Sequence, residues 1–359
     1  MSLNLNNLVL NERQICDLEL LLNGAFKPLE GFMTETEYNS VLDNMTLPNG
    51  DLWPIPINLD ISSDIKKTNS IDINSEVALR DNEGFLIATL TISDIWKINK
   101  EKEALKVYGT IDDHHPGVKY LYESVGDYYL GGKLKISELP KHYDYQLLRH
   151  TPKELKKQFK KMGWDKVVAF QTRNPMHRAH KEISFRAASE NSANLLLHPV
   201  VGPTKPGDID HYTRVRCYQK ILKYFPEGTT MLSLLPLAMR MAGPREALWH
   251  ALIRKNYGCT HIIIGRDHAG PGNDKDGNPY YGPYEAQELV AKYEKEIKIK
   301  MVPFKMMVYV EDIDEYMEIV QNCIEKDRGI SIPGCPIGCD FDVDDDYSLG
   351  KFKAKYESE

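Results

Sequence analysis

The sequence predicts a β-rich N-terminal domain followed by an α/β domain built on a parallel sheet. From about Gly163 onward, short apolar runs alternate with segments of helical character, and this alternation is typical of a parallel sheet with helices on both faces. Before residue 150, strand-like runs predominate instead. A chain of 359 residues has room for two or three domains. We place the boundaries at 1–150, 151–313 and a short atypical C-terminal segment, 314–359.

The first 150 residues contain one predicted helix and several predicted strands. Apolar residues recur at helical spacing over Glu12–Leu22, and the Asn23-Gly24 pair is a stop signal. The runs EVALR and FLIATLTI flank the turn residues 81–84, which predicts a β-hairpin. The proline-marked run at 53–61 predicts an edge strand. After a connecting stretch, Thr151-Pro152 predicts the capped start of a helix.

The second domain has five predicted strands with four helices between or after them. The strand-like runs are VVAF, ANLLLHPVV, MLSLLP, HIIIG and KMVPFKMMVYV. The helical segments are KEISFRAASE, TRVRCYQKILKYF, PREALWHALIRKNYG and YEAQELVAKYEKE. In such sheets, ligands bind outside the carboxyl ends of the strands near the point where the strand order reverses. If VVAF is the first strand, the residues that follow it lie at that point.

Composition and charge exclude several classes of protein. Hydrophobic content of 42% and charged content of 27% are ordinary for a globular protein. The net charge of −7 argues against a general nucleic-acid binder. The start lacks the pattern of a signal peptide, and no apolar run is long enough to span a bilayer, so we expect a soluble cytoplasmic protein. The scattered cysteines are expected to be reduced, and the spacing of Cys323, Cys335 and Cys339 matches no common zinc site.

The stretch VVAFQTRNPMHRAH carries the clearest functional signal. The apolar run ends in the polar turn Gln171, Thr172, Arg173 and Asn174, after which Pro175 predicts the start of a helix. His177 and His180 would share one face of its first turn. Unpaired amide groups and a positive dipole at a helix start favour anions, so this segment predicts a site for a nucleotide's phosphates. Zinc binding and incidental surface polarity are weaker alternatives.

Other strand ends carry similar chemistry. HIIIG is followed by Arg266, Asp267 and His268, and then by small residues that allow close approach of the backbone. LLLHPVV leads to Lys205, and MLSLLP leads to Arg240. Arg245 is interpreted as a surface or capping residue. Because these loops belong to one predicted edge of one sheet, we expect their cations and amides to converge on a single pocket.

Taken together, these motifs resemble the ATP sulfurylase (sulfate adenylyltransferase) family. The resemblance rests on QTRNPMHRAH, HPVVGPTKPGDID, MRMAGPREALWHALIRKNYGCTHIIIGRDHAGPG and MVPFKMMVYV, with GAFKPLEGFM and LWPIPINLDI in the N-terminal domain. It implies a PUA-like domain followed by a Rossmann-like catalytic domain. The implied reaction converts MgATP and sulfate to adenosine 5′-phosphosulfate and pyrophosphate. The chain has no GxxxxGK[ST] motif, so we expect the form without a fused kinase domain, and the family's usual C-terminal motifs are not visible after Asp314.

The resemblance also implies roles for individual residues. Gln171, Arg173 and the backbone amide of Ala269 would hold sulfate, and His177 and His180 would stabilise the phosphates in the transition state. Met307 would contact adenine through its backbone, and Phe304 would adjust the site when ATP binds. The segments that would bind ATP are Gln171, Thr172, Arg173, Asn174 and Gly265, Arg266, Asp267, His268. The catalytic set is expected to be Thr172, Arg173, Asn174, His177 and His180.

The chemistry implied here needs neither a general base nor a covalent intermediate, because sulfate is already ionised. Arginine matches oxyanions with two parallel hydrogen bonds, and histidines with Mg²⁺ can stabilise charge on the leaving pyrophosphate. Three alternatives stay open: a nucleotidyltransferase with another acceptor, a non-catalytic nucleotide or oxyanion sensor, and an RNA-binding protein. A homo-oligomer is compatible with the sequence. The physiological direction of the reaction is not determined by it.

Overall fold

The computed structural model describes residues 6–176 and 178–303, together with the strand backbones 307–310 and 315–318. Within these residues, two main sheets form in succession along the chain. The first lies before residue 137, and the second lies between residues 167 and 303. The expected order of a β-rich part and then an α/β part is therefore confirmed.

The N-terminal sheet has six strands: β1 (Asn6–Val9), β2 (Gly31–Phe32), β3 (Leu59–Ile61), β4 (Glu76–Arg80), β5 (Leu86–Lys97) and β6 (Tyr128–Ile136). Their order is β1-β4-β5-β6, and both β2 and β3 pair with the outer edge of β6. Strands β4 and β5 form the predicted hairpin. In its turn, Gly84 has a φ of 88°, a conformation that glycine adopts without steric cost.

The edge-strand prediction for residues 53–61 is only partly correct. Strand β3 covers Leu59–Ile61 and lies at the edge, as expected. The preceding residues, Trp53–Ile57, are buried but form no regular strand beyond a single bridge at Leu52. Pro54 and Pro56 explain the difference, because proline has no N–H to donate to a neighbouring strand.

Five helices accompany the first sheet: α1 (Glu12–Leu22), α2 (Glu35–Asn44), α3 (Ser63–Thr68), α4 (Lys100–Tyr108) and α5 (Pro116–Glu123). Helix α1 has the predicted bounds, with Asn11 and Gln14 forming a reciprocal capping box. The other four were not predicted. Helix α2 carries a readable signal, since Thr34 and Glu37 form the same kind of box. The N-terminal part is therefore more helical than its strand-like runs indicate.

The second sheet has five strands: β7 (Val167–Phe170), β8 (Asn194–Leu197), β9 (Thr230–Leu232), β10 (His261–Ile264) and β11 (Lys300–Pro303). The order is β11-β10-β7-β8-β9, and every pair is parallel. The first four predicted strands are confirmed. The last run was predicted as one strand but is divided, because β11 joins this sheet while β12 (Met307–Val310) pairs with β13 (Glu315–Glu318).

Helices cover both faces of the second sheet: α6 (Pro152–Met162), α7 (Arg178–Glu190), α8 (His211–Ile221), α9 (Gly243–Asn256) and α10 (Glu285–Ile297). Alternate residues of β7 point to opposite faces, as the period of a strand requires. Val168 and Phe170 pack in the cluster that includes α7 and α8, whereas Val167 and Ala169 pack in the cluster that includes α6, α9 and α10. This is the doubly wound arrangement that the alternating sequence predicts.

The two parts of the chain share one hydrophobic core. The cluster that covers one face of the second sheet continues into the N-terminal sheet. Phe26 of the N-terminal part lies 5.2 Å from Trp249 of α9, measured between ring centroids, and both side chains are fully buried. Among the described helices, none combines the length and apolar character that crossing a bilayer requires.

Candidate active site

The strand order reverses between β7 and β10. From β7 the chain proceeds to β8 and β9 on one side of the sheet, and it then returns to place β10 and β11 on the other side. A crevice opens at the carboxyl ends of the strands at such a point. The two loops that leave β7 and β10 begin at Gln171 and Gly265, the two segments to which sequence analysis assigned ligand binding.

The first loop is shaped by hydrogen bonds around Asn174. The Asn174 amide donates to Thr172 Oγ1 at 3.0 Å, and the Tyr218 hydroxyl donates to the Asn174 carbonyl at 2.7 Å. A hydroxyl that binds the backbone in this way competes with helix formation. This explains a correction: helix α7 begins at Arg178 and not at Pro175.

Arg173 connects three loops of the sheet edge. Its Nη1 lies 2.7 and 2.6 Å from the two carboxylate oxygens of Asp208, which follows β8, and its Nη2 donates to the Gly270 carbonyl at 3.4 Å. The Arg173 side chain retains 16% of its exposure. The guanidinium is therefore held in place from one side and remains accessible from another.

Lys205 adds a second cation beside Arg173. Its Nζ donates to the Pro271 carbonyl at 3.1 Å, and its backbone N–H donates to Asp208 at 3.3 Å. Burial, together with the charge of Arg173, lowers the pKa of Lys205. Arg173 forms the ion pair with Asp208, and the Lys205 ammonium adds a second positive charge near it. Asp208 was quoted within the sequence motif but given no role, because a single acidic residue in a loop has no distinctive local pattern.

The side-chain amide of Gln171 is poorly satisfied within the protein. It is 9% exposed, and its Nε2 lies 4.0 Å from the Met239 sulfur, a weak acceptor. Its Oε1 is buried without a hydrogen-bond partner among the described residues. An amide with so little of its hydrogen bonding satisfied is a candidate for ligand contact.

The second loop, 265–270, is a tight turn. Asp267 and Ala269 have φ angles of 52° and 56°, and the Gly270 amide donates to the Asp267 carbonyl at 3.0 Å. The Gly243 amide donates to the Ala269 carbonyl at 3.2 Å. Arg266 Nε lies 3.3 Å from its neighbour Asp267, whose pKa is raised by partial burial. The contact between Arg173 and Gly270 brings this loop against the first one.

The His268 side chain turns away from the crevice into the protein. It is 9% exposed, and its Nε2 lies 3.0 Å from His250 Nδ1 on α9. Burial lowers its pKa well below the usual range, so the imidazole is neutral near pH 7. The resemblance places His268 in the nucleotide loop, and the geometry leaves its backbone rather than its ring for that contact.

The remaining predicted residues are described to different extents. His180 lies in the first turn of α7, where its ring centroid is 5.8 Å from that of Phe170. His177 and Phe304 lie outside the described residues, as do the side chain of Met307 and the cysteines at 323, 335 and 339. Their roles stay predictions. Residues 6–176 and 178–303 contain no group of three His, Cys, Asp or Glu side chains placed to hold a metal ion.

Two polar residues from strand ends do not join the site. Arg240 is 2% exposed and forms an ion pair with Asp17 of α1, so its inclusion among the converging cations is wrong. His198 is fully buried, and burial lowers its pKa well below the usual range. Arg240 is drawn inward by Asp17 of the N-terminal part, whereas His198 packs against Tyr257 at 4.7 Å between ring centroids. Arg245, interpreted as a surface or capping residue, is half-buried and donates to the Leu42 carbonyl near the end of α2 at 2.9 Å.

Comparison with known families agrees with this fold. The ATP-sulfurylase family model matches residues 146–334, and the PUA-like domain model matches residues 2–139. Both domain types were expected from the resemblance, which these matches confirm.

Individual relatives match most of this chain. A sulfate adenylyltransferase of Mycosarcoma maydis is 54% identical over 316 residues, covering 88% of this chain and 55% of the relative. One of Saccharomyces cerevisiae is 54% identical over 325 residues, covering 90% and 63%. The chain therefore spans less than two thirds of either relative's length. A solved structure described as a hexameric APS kinase from Thiobacillus denitrificans aligns with a TM-score of 0.69 and 32% identity, over 93% of this chain and 61% of the other.

Proposed function

The chain belongs to the ATP-sulfurylase family, and we propose that it is a nucleotidyltransferase that transfers the AMP moiety of MgATP to sulfate. The products would be adenosine 5′-phosphosulfate and pyrophosphate. The observation that carries the proposal is the position of Arg173. This guanidinium joins the loops after β7, β8 and β10 at the point where the strand order reverses. A cation held at the meeting point of three backbone loops suits two neighbouring oxyanions.

Arg173 and Gln171 would bind the sulfate. Asp208 holds Nη1 of the arginine, so the Nη2 edge, with its long 3.4 Å contact to Gly270, is the part that can turn towards a ligand. Gln171 can supply an amide N–H, since its Nε2 contacts the Met239 sulfur at 4.0 Å. The Ala269 amide would add a third donor from the second loop. Lys205 would contribute long-range attraction without direct contact.

The nucleotide would extend along the same edge. Thr172 and Asn174 in the first loop, with Gly265, Arg266, Asp267 and the His268 backbone in the second, are proposed to hold ATP. His180 and His177 would donate to its phosphates from the start of α7. The Met307 backbone would contact adenine, and Phe304 would adjust the site. Preorganised donors aimed at developing charge are typically worth ~3–4 kcal/mol each in the transition state.

Magnesium fits this site as an ion carried by the triphosphate. The donors that converge here are guanidinium, ammonium and amide groups, which suit oxyanions, and Asp208 is already engaged by Arg173. Mg²⁺ commonly keeps its waters and binds mainly through substrate phosphates. When bound with ATP, it would neutralise charge on the leaving pyrophosphate.

The reaction would proceed in one displacement. A sulfate oxygen forms a bond to the α-phosphorus, and the bond from that phosphorus to the bridging oxygen of the pyrophosphate breaks. The electron pair leaves with the pyrophosphate, so no residue has to accept a proton or form a covalent intermediate. The protein's contribution is to hold two anions in line, for which proximity and charge compensation suffice.

Location and assembly are part of the same proposal. We propose a cytoplasmic enzyme, in keeping with the absence of a bilayer-spanning helix among the described residues. We also propose a homo-oligomer, because the aligned structure from Thiobacillus denitrificans is described as hexameric.

Pyrophosphate release tests the proposal. The purified chain should release pyrophosphate only when ATP, Mg²⁺ and sulfate, or molybdate as a surrogate acceptor, are all present. Arg173→Ala should lower turnover by about 10² or more, and Arg173→Lys should recover part of it, since lysine keeps the charge without the planar fork. Arg80→Ala is the matched control, because that guanidinium binds Asn7 and Gly84 in the N-terminal sheet. Absence of turnover in both directions, or a near-normal rate in Arg173→Ala, would contradict the proposal.

A further inference from the structure

Beneath the second loop lies a chain of three buried side chains that no ligand contact explains. Glu246 and His250 stand one turn apart on α9, and both are fully buried. His250 Nε2 lies 3.2 Å from Glu246 Oε1, and His250 Nδ1 lies 3.0 Å from His268 Nε2. These three side chains therefore connect α9 to the middle of the 265–270 loop.

Glu246 determines which ring nitrogens carry protons. Its carboxylate accepts the backbone amides of Arg240 at 3.0 Å and Ala242 at 2.9 Å. Although burial opposes ionisation, the contact with His250 and, to a lesser extent, these two amides lower the pKa of Glu246. Glu246 Oε1 lies 3.2 Å from His250 Nε2 as an ion-pair contact, so the negative charge of the carboxylate favours the His250 proton on Nε2. His250 Nδ1 is then an acceptor, and His268 Nε2 must be the donor.

The loop that this contact holds is conformationally strained. Asp267 and Ala269, the two residues that flank His268, both have positive φ although neither is glycine. Such residues persist where the surroundings over-determine them, and they concentrate at functional sites. Here the surroundings are the His268–His250 contact on one side and the hydrogen bond from Gly243 to Ala269 on the other.

We propose that Glu246 and His250 are positioning residues that hold the 267–270 backbone, through His268, in the conformation that presents the Ala269 amide to an oxyanion. The kinetic part of this inference rests on the proposed function. The structural part of the inference, that these side chains fix the conformation of the loop, does not depend on the proposed function. Neither residue touches a substrate, so the expected effect is on the geometry of the loop and not on charge in the crevice.

Two substitutions of similar size separate positioning from packing. In His250→Asn the side-chain oxygen can take the place of Nδ1, so the acceptor for His268 is kept. In His250→Gln the amide reaches the Nε2 position beside Glu246, and a methylene replaces the acceptor. Positioning through His268 predicts that the asparagine variant resembles the wild type and that the glutamine variant does not.

Two readouts decide the outcome. We expect His250→Gln to lower kcat/KM for sulfate at saturating MgATP by about tenfold or more, and to speed hydrogen exchange at the Gly270 amide by a similar factor. His250→Asn should stay within about threefold of the wild type in both. If the glutamine variant does not fold, His250→Phe, which keeps a ring but neither nitrogen, replaces it.

Equal behaviour of the asparagine and glutamine variants, or unchanged exchange at Gly270 in the glutamine variant, would overturn the inference. A wild-type chain that does not turn over would instead remove the proposed function. The hydrogen-exchange rates of the asparagine and glutamine variants would then still decide whether Glu246, His250 and His268 order the loop.

Discussion

The ion pair between Asp17 and Arg240 should be the most sensitive contact between the two parts of the chain. Asp17 lies on α1 and Arg240 lies just before α9, and their side chains are 5% and 2% exposed. Arg240 Nη2 lies 2.7 and 2.5 Å from the two carboxylate oxygens, and Nη1 donates to the Ala238 carbonyl at 2.6 Å. Burial raises the pKa of Asp17 even beside this partner, so desolvation is a large cost of the pair.

Asp17→Asn removes the carboxylate that pairs with the buried Arg240 guanidinium. Removing one partner of a buried pair typically costs about 3–5 kcal/mol. For domains of 150–250 residues, 1 kcal/mol corresponds to about 2–4 °C in Tm, so we expect a decrease of at least about 6 °C. Thermal and urea unfolding followed by circular dichroism would measure it. Asp43→Asn, which breaks an exposed pair with Lys106 at 3.1 Å, should change stability by less than about 1 kcal/mol.

The double variant Asp17→Leu/Arg240→Met completes the test. Replacing both members of a buried pair with apolar residues is often neutral or stabilising, because both desolvation penalties disappear. We expect it to be more stable than Asp17→Asn, although the Ala238 carbonyl loses its donor. The reasoning is refuted if Asp17→Asn lies within about 1 kcal/mol of the wild type, or if the double variant is the less stable of the two.

Two further predictions concern pH and ligand access. Burial lowers the pKa of His115 to about 4, and its Nδ1 caps α5 by accepting from the Gly117 amide at 3.0 Å. As the pH falls, the unfolded chain binds a proton at this histidine before the folded protein does. The free energy of unfolding should therefore be unaffected by His115 above about pH 6.5 and should decrease by about 3 kcal/mol towards pH 4. His115→Asn keeps a cap acceptor but cannot titrate, so its stability should fall less over that range, and parallel stability–pH curves for the two proteins would contradict this. At Gly265, an added Cβ would have no neighbour within 4 Å, so Gly265→Ala should leave Tm unchanged while raising the KM for ATP about 10–200-fold, because the methyl group occupies the crevice. An unchanged KM would show that the nucleotide does not approach this strand end.

Local signals account for much of the second domain. Its strands are short apolar runs bounded by turn residues, and α6 and α8, on opposite faces of the sheet, begin at residues whose side chains cap the helix. Thr151 and Glu154 form a capping box, and Gly163 ends α6 with a φ of 69°. Such features depend on residues a few positions apart, so they can be read without knowledge of the fold.

Parts of the N-terminal domain were less predictable. Helix α4 has only a few buried residues, and α5 is eight residues long, so neither presents a sustained helical pattern. Helices of this length are stabilised by packing against the rest of the protein more than by their own propensity. Their assignment therefore depends on contacts that are distant in sequence.

The candidate site, too, was predictable from the sequence only in part. The residue types that follow β7 and β10 indicated an anion site, and the strand order places both loops at one crevice, as expected. The sequence did not indicate that Asp208 would hold Arg173, that His268 would face α9, or that Arg240 would leave the edge to meet Asp17.

From the sequence alone, the alternation of apolar runs, the caps and the loop chemistry determined the fold class and the segments in which ligands are expected. Only the tertiary structure decided which cations face the crevice and which are buried. Arg240 and Asp17 are 223 residues apart in the chain. Whether a guanidinium meets solvent, a ligand or a carboxylate depends on which surfaces pack together, because the cost of removing a charge from water is set by its three-dimensional surroundings and not by its neighbours in sequence.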